Sequence, residues 1–415
     1  MRNTTLFGWT LATLACASGC PRDAGGGGAG TTPPPAPVPA APGRMILVSG
    51  SCGGNVCTPA SVESLSITPD GASLAYVTLG WTDVVPAPAP QAVVQLASWT
   101  DPAADRQLEA RVCSEGGAVA AALQPSGDRV AVAGLGQGRF VRLEGEAEAP
   151  VLWRGAAGSA EGTEAAPDGG CALDASGVFV CGTIEVEDSA EGEPRFGDAD
   201  WAPREVVPEG RFCDGPRTPV VVSLAWSPSG DALALGGFAG SDDDPGWGVW
   251  VLDEIGGELR RVWAAPEAVI GVRVVGWESP DTLVVRAAEL PSAAATEAAD
   301  DDVLYRLTAG GGAAPEELGR VDADAGTFVL DGRLFAVAPD GAVRDFADDR
   351  VVALLELPPS PFAADSGRSG GRAVTAVDAR PGGVLAVAIA DRVRISMGVA
   401  PCCSRLLLFS GVSLR

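Results

Sequence analysis

Histidine and lysine are both absent from this 415-residue chain, and asparagine occurs only at positions 3 and 55. Without histidine, the chain cannot form Ser-His-Asp or Cys-His nucleophile systems, HExxH zinc sites or a histidine general base. Without lysine, it cannot form a Schiff base. Because these absences remove the commonest catalytic machineries, we expect a protein that is not an enzyme.

Positive charge is scarce as well. The 29 basic residues are all arginines and face 54 acidic residues, which makes the net charge −25. Every contact with a nucleic-acid phosphate or an anionic lipid surface would be made against this field. The charge therefore excludes nucleic acid as a partner and disfavours direct binding to anionic membranes.

The apolar run near the amino terminus is short. Residues 6–17 form a mostly apolar stretch behind Arg2, which is the size of a secretory signal and shorter than a membrane span of about 20 residues. Ala17, Ser18 and Gly19 then precede Cys20. This segment resembles the lipobox of bacterial lipoproteins, in which the cysteine becomes the acylated first residue of the mature chain.

The resemblance implies a lipid-anchored protein of the bacterial cell envelope, on the periplasmic or the surface side. Pro21 stands where an aspartate often marks retention in the inner membrane, so the outer membrane is the expected location. Cys16 is the competing lipidation site, and an ordinary secreted protein cleaved near Ala17 is the alternative without a lipid.

The segment after Cys20 lacks any core-forming sequence. Residues 21–43 contain seven prolines and a run of four glycines, a composition typical of a partly extended tether that reaches at most about 70 Å. We therefore divide the chain into a signal peptide (1–19), a lipidated cysteine with a disordered tether (20–43) and a folded domain (44–415).

The folded domain repeats one pattern, in which an apolar strand, a turn of Pro, Asp, Ser or Gly and a second apolar strand follow each other as in a β-hairpin. The seven segments are "LSITPDGASLAYV", "AALQPSGDRVAVA", "CALDASGVFVCG", "LAWSPSGDALALG", "VGWESPDTLVVRA", "FVLDGRLFAVA" and "VDARPGGVLAVAI". An apolar anchor follows each turn, at Leu74, Val130, Phe179, Leu233, Leu283, Leu334 and Leu385. A period of about 52 residues with four strands per unit is typical of a β-propeller blade.

Seven such units fill residues 44–415, so we predict an all-β fold consisting of a single β-propeller with seven four-stranded blades; six and eight blades are the alternatives. The turn motif resembles the WD40-like (PD40) repeat of the TolB propeller and of prolyl oligopeptidase relatives, and the resemblance implies the fold alone. "RMILVSG" (44–50) and "RLLLFSG" (405–411) are expected to pair in one closing blade. Trp226 and Trp277 precede two of the turns at equivalent positions and are expected to pack between repeats.

Eight cysteines remain after signal cleavage and acylation of Cys20, an even number that predicts four disulfides in an oxidising compartment. The candidate disulfide cysteines are Cys52, Cys57, Cys171, Cys181, Cys402 and Cys403. We expect at least one bridge between the first and last of these pairs, with a local Cys52–Cys57 bridge as the alternative. The middle pair flanks one turn symmetrically, which predicts that its members face each other across a hairpin.

The long loops of a four-stranded blade, those between its second and third strands, gather on one face of a propeller together with the connections between blades. Here they carry acidic residues and tryptophans. The members of this candidate binding face are Trp81, Glu185, Glu187, Asp188, Asp198, Asp200, Trp201, Asp242, Asp243, Asp244, Trp247, Asp300, Asp301 and Asp302. Aromatic anchors beside carboxylates suit a protein partner with a basic segment.

We therefore predict a non-catalytic protein-binding scaffold, with a merely solvated acidic surface as the plainer interpretation. No cofactor and no metal are expected. Calcium is the alternative, because the loops are rich in oxygen and "DADAG" (322–326) begins like an EF-hand. The alternative function is a propeller enzyme that uses carboxylates alone, such as a glycoside hydrolase, and it would require two carboxyl groups about 5–9 Å apart.

Overall fold

The computed structural model describes residues 38–48, 52–53, 56–57, 62–80, 91–108, 120–127, 129–134, 138–142, 171–173, 179–181, 220–241, 244–253, 257–290, 300–360, 369–395 and 398–414. Within these ranges there is no helix long and apolar enough to cross a membrane.

The regular elements are almost all β-strands. In chain order they are β1 (Pro39–Ala40), β2 (Arg44–Val48), β3 (Cys52–Gly53), β4 (Val56–Cys57), β5 (Val62–Ile67), β6 (Ser73–Gly80), β7 (Gln91–Ser98), β8 (Arg106–Leu108), β9 (Ala120–Leu123), β10 (Arg129–Ala133), β11 (Gly138–Arg142), β12 (Cys171–Leu173), β13 (Phe179–Cys181), β14 (Val220–Trp226), β15 (Leu233–Ser241), β16 (Asp244–Leu252), β17 (Leu259–Ala264), β18 (Val269–Ser279), β19 (Thr282–Glu289), β20 (Asp301–Thr308), β21 (Glu316–Asp322), β22 (Gly326–Leu330), β23 (Arg333–Val337), β24 (Ala342–Asp345), β25 (Arg350–Leu355), β26 (Ser369–Arg380), β27 (Val384–Ile395) and β28 (Gly398–Phe409). A 3₁₀ turn, Pro102–Ala104, precedes β8.

Five sheets have four meandering strands each, and we call them blade 1 (β5–β8), blade 2 (β14–β17), blade 3 (β18–β21), blade 4 (β22–β25) and the closing blade (β26–β28 with β2). A three-stranded sheet, β9–β11, lies between blades 1 and 2 and is called the short sheet. The all-β propeller is thus confirmed, but the described residues contain five four-stranded blades and not seven.

The innermost strands explain why the predicted number was wrong. The strands β5, β9, β14, β18, β22 and β26 contact one another in that order, and β26 contacts β5 again, so the ring is closed. Within the described residues, the third predicted unit contributes the hairpin β12–β13, whose strands pair with each other and with no other strand. The short sheet packs directly against blade 2. The hairpin β12–β13 therefore adds no blade between these two sheets, even though its position in the sequence matches the repeat.

Ring closure by the two ends of the chain is confirmed. Strand β2 pairs antiparallel with β28, from Arg44 opposite Leu408 to Val48 opposite Ser404. The fold also begins earlier than predicted, because β1 pairs in parallel with β25 at the outer edge of blade 4. Residues 38–43, which we assigned to the tether, therefore belong to the folded part.

The repeated Pro-x-Gly turn has a packing reason. Gly127 and Gly230 have φ values of +82° and +78°, which favour glycine. A Cβ atom on Gly127 would lie 2.9 Å from Cδ of Pro69 in the turn before it, and one on Gly230 would lie 3.3 Å from Cδ of Pro125. Each turn glycine thus lies against the proline of the preceding turn around the ring, and this contact needs both residue types at fixed spacing.

The core is divided among the spaces between neighbouring sheets. Six clusters of buried apolar side chains lie in the six spaces of the ring. The anchors Leu74, Val130, Leu233, Leu283 and Leu385 are fully buried in them. Because each sheet buries both of its faces, its strands consist of nearly continuous apolar runs.

Candidate functional site

A cavity of about 840 Å³ lies on the axis of the ring and is lined by the innermost strands. Its wall contains residues from all five blades and the short sheet, including Ser64, Ala121, Ser223, Thr327 and Thr375. The cavity is therefore a product of ring closure, and no single repeat could form it.

Two repeated contacts fix the inner strands beside this cavity. Ser64 Oγ accepts a hydrogen bond from the Ala121 N–H at 2.8 Å, and Ser223 Oγ accepts one from the Val274 N–H at 2.7 Å. Both serines occupy the same register position of their blades. Each lies on the innermost strand, three residue pairs before the pair that contains the anchor. Each serine thus joins its inner strand to the next sheet around the ring.

The two predicted packing tryptophans make the second repeated contact. Trp226 Nε1 donates to the carbonyl of Ala122 at 3.1 Å, and Trp277 Nε1 donates to the carbonyl of Ala225 at 2.9 Å. Both indoles are buried. The expectation that they pack between repeats is confirmed, and the polar edge of each ring satisfies a backbone group of the neighbouring sheet.

A charged pair replaces the tryptophan where the closing blade meets blade 1. Asp378 Oδ2 accepts from the Ile67 N–H at 2.7 Å, while Arg380 donates from Nε and Nη2 to the Ile67 carbonyl at 3.1 and 2.8 Å. Burial raises the pKa of the Asp378 carboxyl, and the Arg380 guanidinium, 3.8 Å away, opposes this shift. The pair joins two ends of the chain that are more than 300 residues apart in sequence.

Asp302, one of the predicted binding-face carboxylates, is buried and forms an ion pair with Arg286. Arg286 also donates to the carbonyls of Asp322 (3.2 Å), Ala323 (2.7 Å) and Ala325. The carboxylate is therefore committed to an internal contact. A partner protein would have to compete with Arg286 to bind it.

The same arginine also contacts the backbone of "DADAG". The carbonyl oxygens that a calcium loop would direct at a cation here accept from the guanidinium of Arg286. Asp324 pairs with Arg392 at 2.7 Å, and Asp322 Oδ1 accepts from the Asp324 N–H. Two arginines thus hold this connection between blades 3 and 4. In the part of the chain that the structure describes, no group of three or more acidic or cysteine side chains is placed to hold a metal ion.

The remaining members of the candidate binding face are only partly described. Asp300 and Asp301 are exposed at the start of β20. Asp244 begins β16, whereas Trp247 is half-buried and contacts Phe238 edge to face at 5.6 Å between ring centroids. Trp247 thus packs against the core of blades 2 and 3 and is not an exposed anchor. Other predicted members lie outside the described residues: Trp81, Glu185, Glu187, Asp188, Asp198, Asp200, Trp201, Asp242 and Asp243.

Two of the predicted cysteine pairs lie opposite each other on paired strands, and a bridge from Cys52 or Cys57 to Cys402 or Cys403 stays a prediction. Cys171 pairs with Cys181 across β12–β13, and Cys52 pairs with Cys57 across β3–β4. Cys402 lies on β28 opposite Asp391. The hairpin placement of the first pair is confirmed, and the local arrangement of the second matches the alternative that we left open. The disulfides themselves stay predictions, and Cys20 lies outside the described residues.

Charged residues inside apolar strands were missed by the sequence reasoning. Asp391 directly follows the run "VLAVAIA" and is fully buried, and Arg273 stands between Val272 and Val274 on an inner strand. A charge within such a run was the available signal. It identifies a position with a polar partner or a polar cavity nearby, because a buried charge is otherwise costly.

Comparison with known proteins shows similarity in fold only. No protein-family model and no curated protein matches the sequence. Similar solved structures include the β-propeller domain of the Trilobed protease from Pyrococcus furiosus (12% identity, 85% of this chain and 83% of that chain covered, TM-score 0.36), the hydrazine synthase of Kuenenia stuttgartiensis (12%, 85% and 96%, 0.39) and a putative TolB from Agrobacterium tumefaciens (10%, 85% and 83%, 0.33). TM-scores this low add nothing to the propeller assignment, which rests on the closed ring of inner strands.

Proposed function

We propose that this protein is a non-catalytic binding scaffold of the bacterial cell envelope, anchored in the outer membrane by lipid on Cys20. Its partner is a protein with a basic segment, which docks on the face that carries the acidic loops. The signal-like amino terminus, the small residues before Cys20 and the proline-rich tether support the anchor.

The observation that carries the proposal is the use of charge around the axis. Asp302, Asp324 and Asp378 are engaged by arginines or backbone N–H groups that join neighbouring sheets. Carboxylates held in this way fix neighbouring sheets to one another, whereas a general acid and base would need to exchange protons with a substrate. Asp300 and Asp301 remain exposed on the loop face.

The anchor is tested by intact mass spectrometry of the mature amino terminus, with a Cys20→Ser variant as the control. We expect the wild-type chain to begin at Cys20 with added acyl chains and to fractionate with the outer membrane. A wild-type amino terminus without added lipid would refute the anchor, and fractionation with the inner membrane would refute the location.

The docking face is tested by in-cell crosslinking and affinity capture. The test variant replaces Asp242, Asp243, Asp300 and Asp301 by asparagine, which removes four charges and conserves side-chain size. The control variant makes the same change at four acidic residues in turns on the opposite face: Asp281, Asp331, Asp348 and Asp349. We expect a partner that is captured by the wild-type and control chains and lost with the test variant. Equal capture by all three chains would refute the acidic docking face.

A further inference from the structure

One register position of the inner strands has an unusual composition. Three pairs before the anchor, the six strands of the ring carry Ser64, Ala120, Ser223, Arg273, Gly326 and Ala376. Five of these residues are small and one is arginine. The small residues let neighbouring sheets approach closely, since a Cβ atom on Gly326 would lie 2.5 Å from side-chain atoms of Val374 and Val377, and Arg273 is the one long side chain at this level.

Arg273 is not needed to join the sheets. In two other sheets this position is a serine that accepts from the next inner strand, as Ser64 and Ser223 do. Blade 3 is joined to blade 4 through Arg286 instead, which donates to the carbonyl of Ala325. In blade 3 this residue therefore does not form the contact between sheets that the serines form in blades 1 and 2.

The charge on Arg273 is uncompensated within the described residues. Its side chain is exposed and lines the cavity, and none of the carboxylates of known placement pairs with it. The other arginines of the wall have partners: Arg286 pairs with Asp302, Arg380 with Asp378 and Arg392 with Asp324. Arg273 also lies directly across from Arg286 on the adjacent strand, where like charges repel.

A second polar group of the wall has no partner. Thr375 interrupts the register of β26 next to Ala376, at the level of Arg273, and its Oγ1 atom is buried without a hydrogen-bond partner in the described part of the chain. Because this atom is closed to solvent, an occupant of the cavity would not reach it, and Thr375 is a neighbour of the cavity and not a ligand contact.

We propose that the axial cavity binds a small organic ligand through a carboxylate group held by Arg273. The planar guanidinium binds a carboxylate by two parallel hydrogen bonds, and about 840 Å³ is the size of ordinary small-molecule sites. Arg273 is the unpaired cation of the described wall and matches one carboxylate, while the Asp331 carboxylate, which also lines the wall, disfavours a more highly charged anion. A phosphate dianion would leave excess negative charge in a protein that already carries −25. This site depends neither on the lipid anchor nor on the acidic loops.

The test is ligand-observed NMR titration of the purified chain with acetate, benzoate, succinate and hexanoate at constant ionic strength, with inorganic phosphate as the competing probe. We expect saturable binding of at least one carboxylate, weakened at least tenfold by Arg273→Gln and less by Arg273→Lys. The matched control is Arg344→Gln, which removes an exposed arginine outside the cavity and is expected to bind like wild type. Thr375→Val keeps the side-chain shape and changes a group that is closed to the cavity, so it is a second control and is expected to bind like wild type.

Three results would overturn the proposal: no saturable carboxylate binding to the wild-type chain, equal binding by the Arg273→Gln chain, or preferential binding of phosphate. Circular dichroism of each variant reports whether it is folded. Should Arg273→Gln fail to fold, unchanged binding by Arg273→Lys, which loses the planar two-point contact, would overturn it.

Discussion

Replacing Asp391 by asparagine is expected to destabilise the protein by about 3–5 kcal/mol. Asp391 is fully buried on β27 of the closing blade. Its carboxylate accepts from Arg372 Nε at 2.9 Å and from Arg405 Nη2. The same arginines donate to the carbonyls of Pro358 and Pro359 at 2.8 and 3.0 Å, which holds the connection from blade 4 to the closing blade. The substitution would leave two nearly buried guanidinium groups without a counter-ion.

The magnitude follows from burial. The side chains of Arg372 and Arg405 are 15% and 10% exposed, so water cannot replace the lost carboxylate without opening the blade. The matched control is Asp349→Asn, which breaks the pair between Asp349 and Arg344, 88% and 46% exposed. A pair exposed to this degree contributes about 0–1 kcal/mol. The two substitutions remove the same charge and differ in solvent access.

The assay is unfolding in urea, followed by tryptophan fluorescence and extrapolated linearly to water. A free energy within about 1 kcal/mol of wild type for Asp391→Asn would refute the reasoning, because it would show that the guanidinium groups regain water at little cost. A triple replacement, Asp391→Leu with Arg372→Met and Arg405→Met, tests the cause. It leaves no buried charge and should recover most of the loss, apart from about 1 kcal/mol for each lost bond to a proline carbonyl.

Three smaller effects are expected. Trp277→Phe removes the 2.9 Å bond to the buried Ala225 carbonyl and should cost about 1–3 kcal/mol in urea unfolding; an unchanged midpoint would contradict this. Because the folded-state pKa of Asp378 is raised, ionisation of this carboxyl opposes folding, and the stability that it contributes is lost as pH rises above about 3.9. The free energy of unfolding of wild type, measured relative to that of Asp378→Asn, should therefore fall as pH rises, and a difference that is constant with pH would contradict this. The Arg44 hydrogen bond lowers the pKa of Asp105, so this group stabilises above about pH 3.9 and less as pH falls. Asp105→Asn should cost about 1 kcal/mol or less at pH 7, since the pair is partly exposed, and the cost should vanish in acid.

The hairpins and the closing strands were predictable because they depend on short-range patterns. Alternating apolar residues on both sides of a turn specify a hairpin locally, and all seven predicted anchors lie on strands that directly follow their turns. The pairing of β2 with β28 could be predicted because a propeller must satisfy its first and last strands. The blade number could not be predicted, since the hairpin at Cys171 has the same local pattern as the hairpins of the ring.

The roles of the charged residues were beyond sequence reasoning for a related reason. Asp302 and Asp301 are neighbours in one acidic run, yet one is buried against Arg286 and the other is exposed. Strand alternation places them on opposite faces, but only the position of the next blade decides which face is covered. Arg273 resembles any other strand arginine until the six inner strands are arranged around one axis.

The all-β class, the hairpin unit, the turn chemistry and the closure of the ring could thus be predicted from the order of the residues, because each depends on residues close in sequence or on the ends of the chain. The number of sheets in the ring, the carboxylates that are neutralised and the polar groups around the cavity became known from the folded arrangement. These properties arise from packing between sheets, where partners such as Asp378 and Ile67 meet across more than 300 residues. A local sequence pattern does not identify such partners, because these contacts form only when the ring closes.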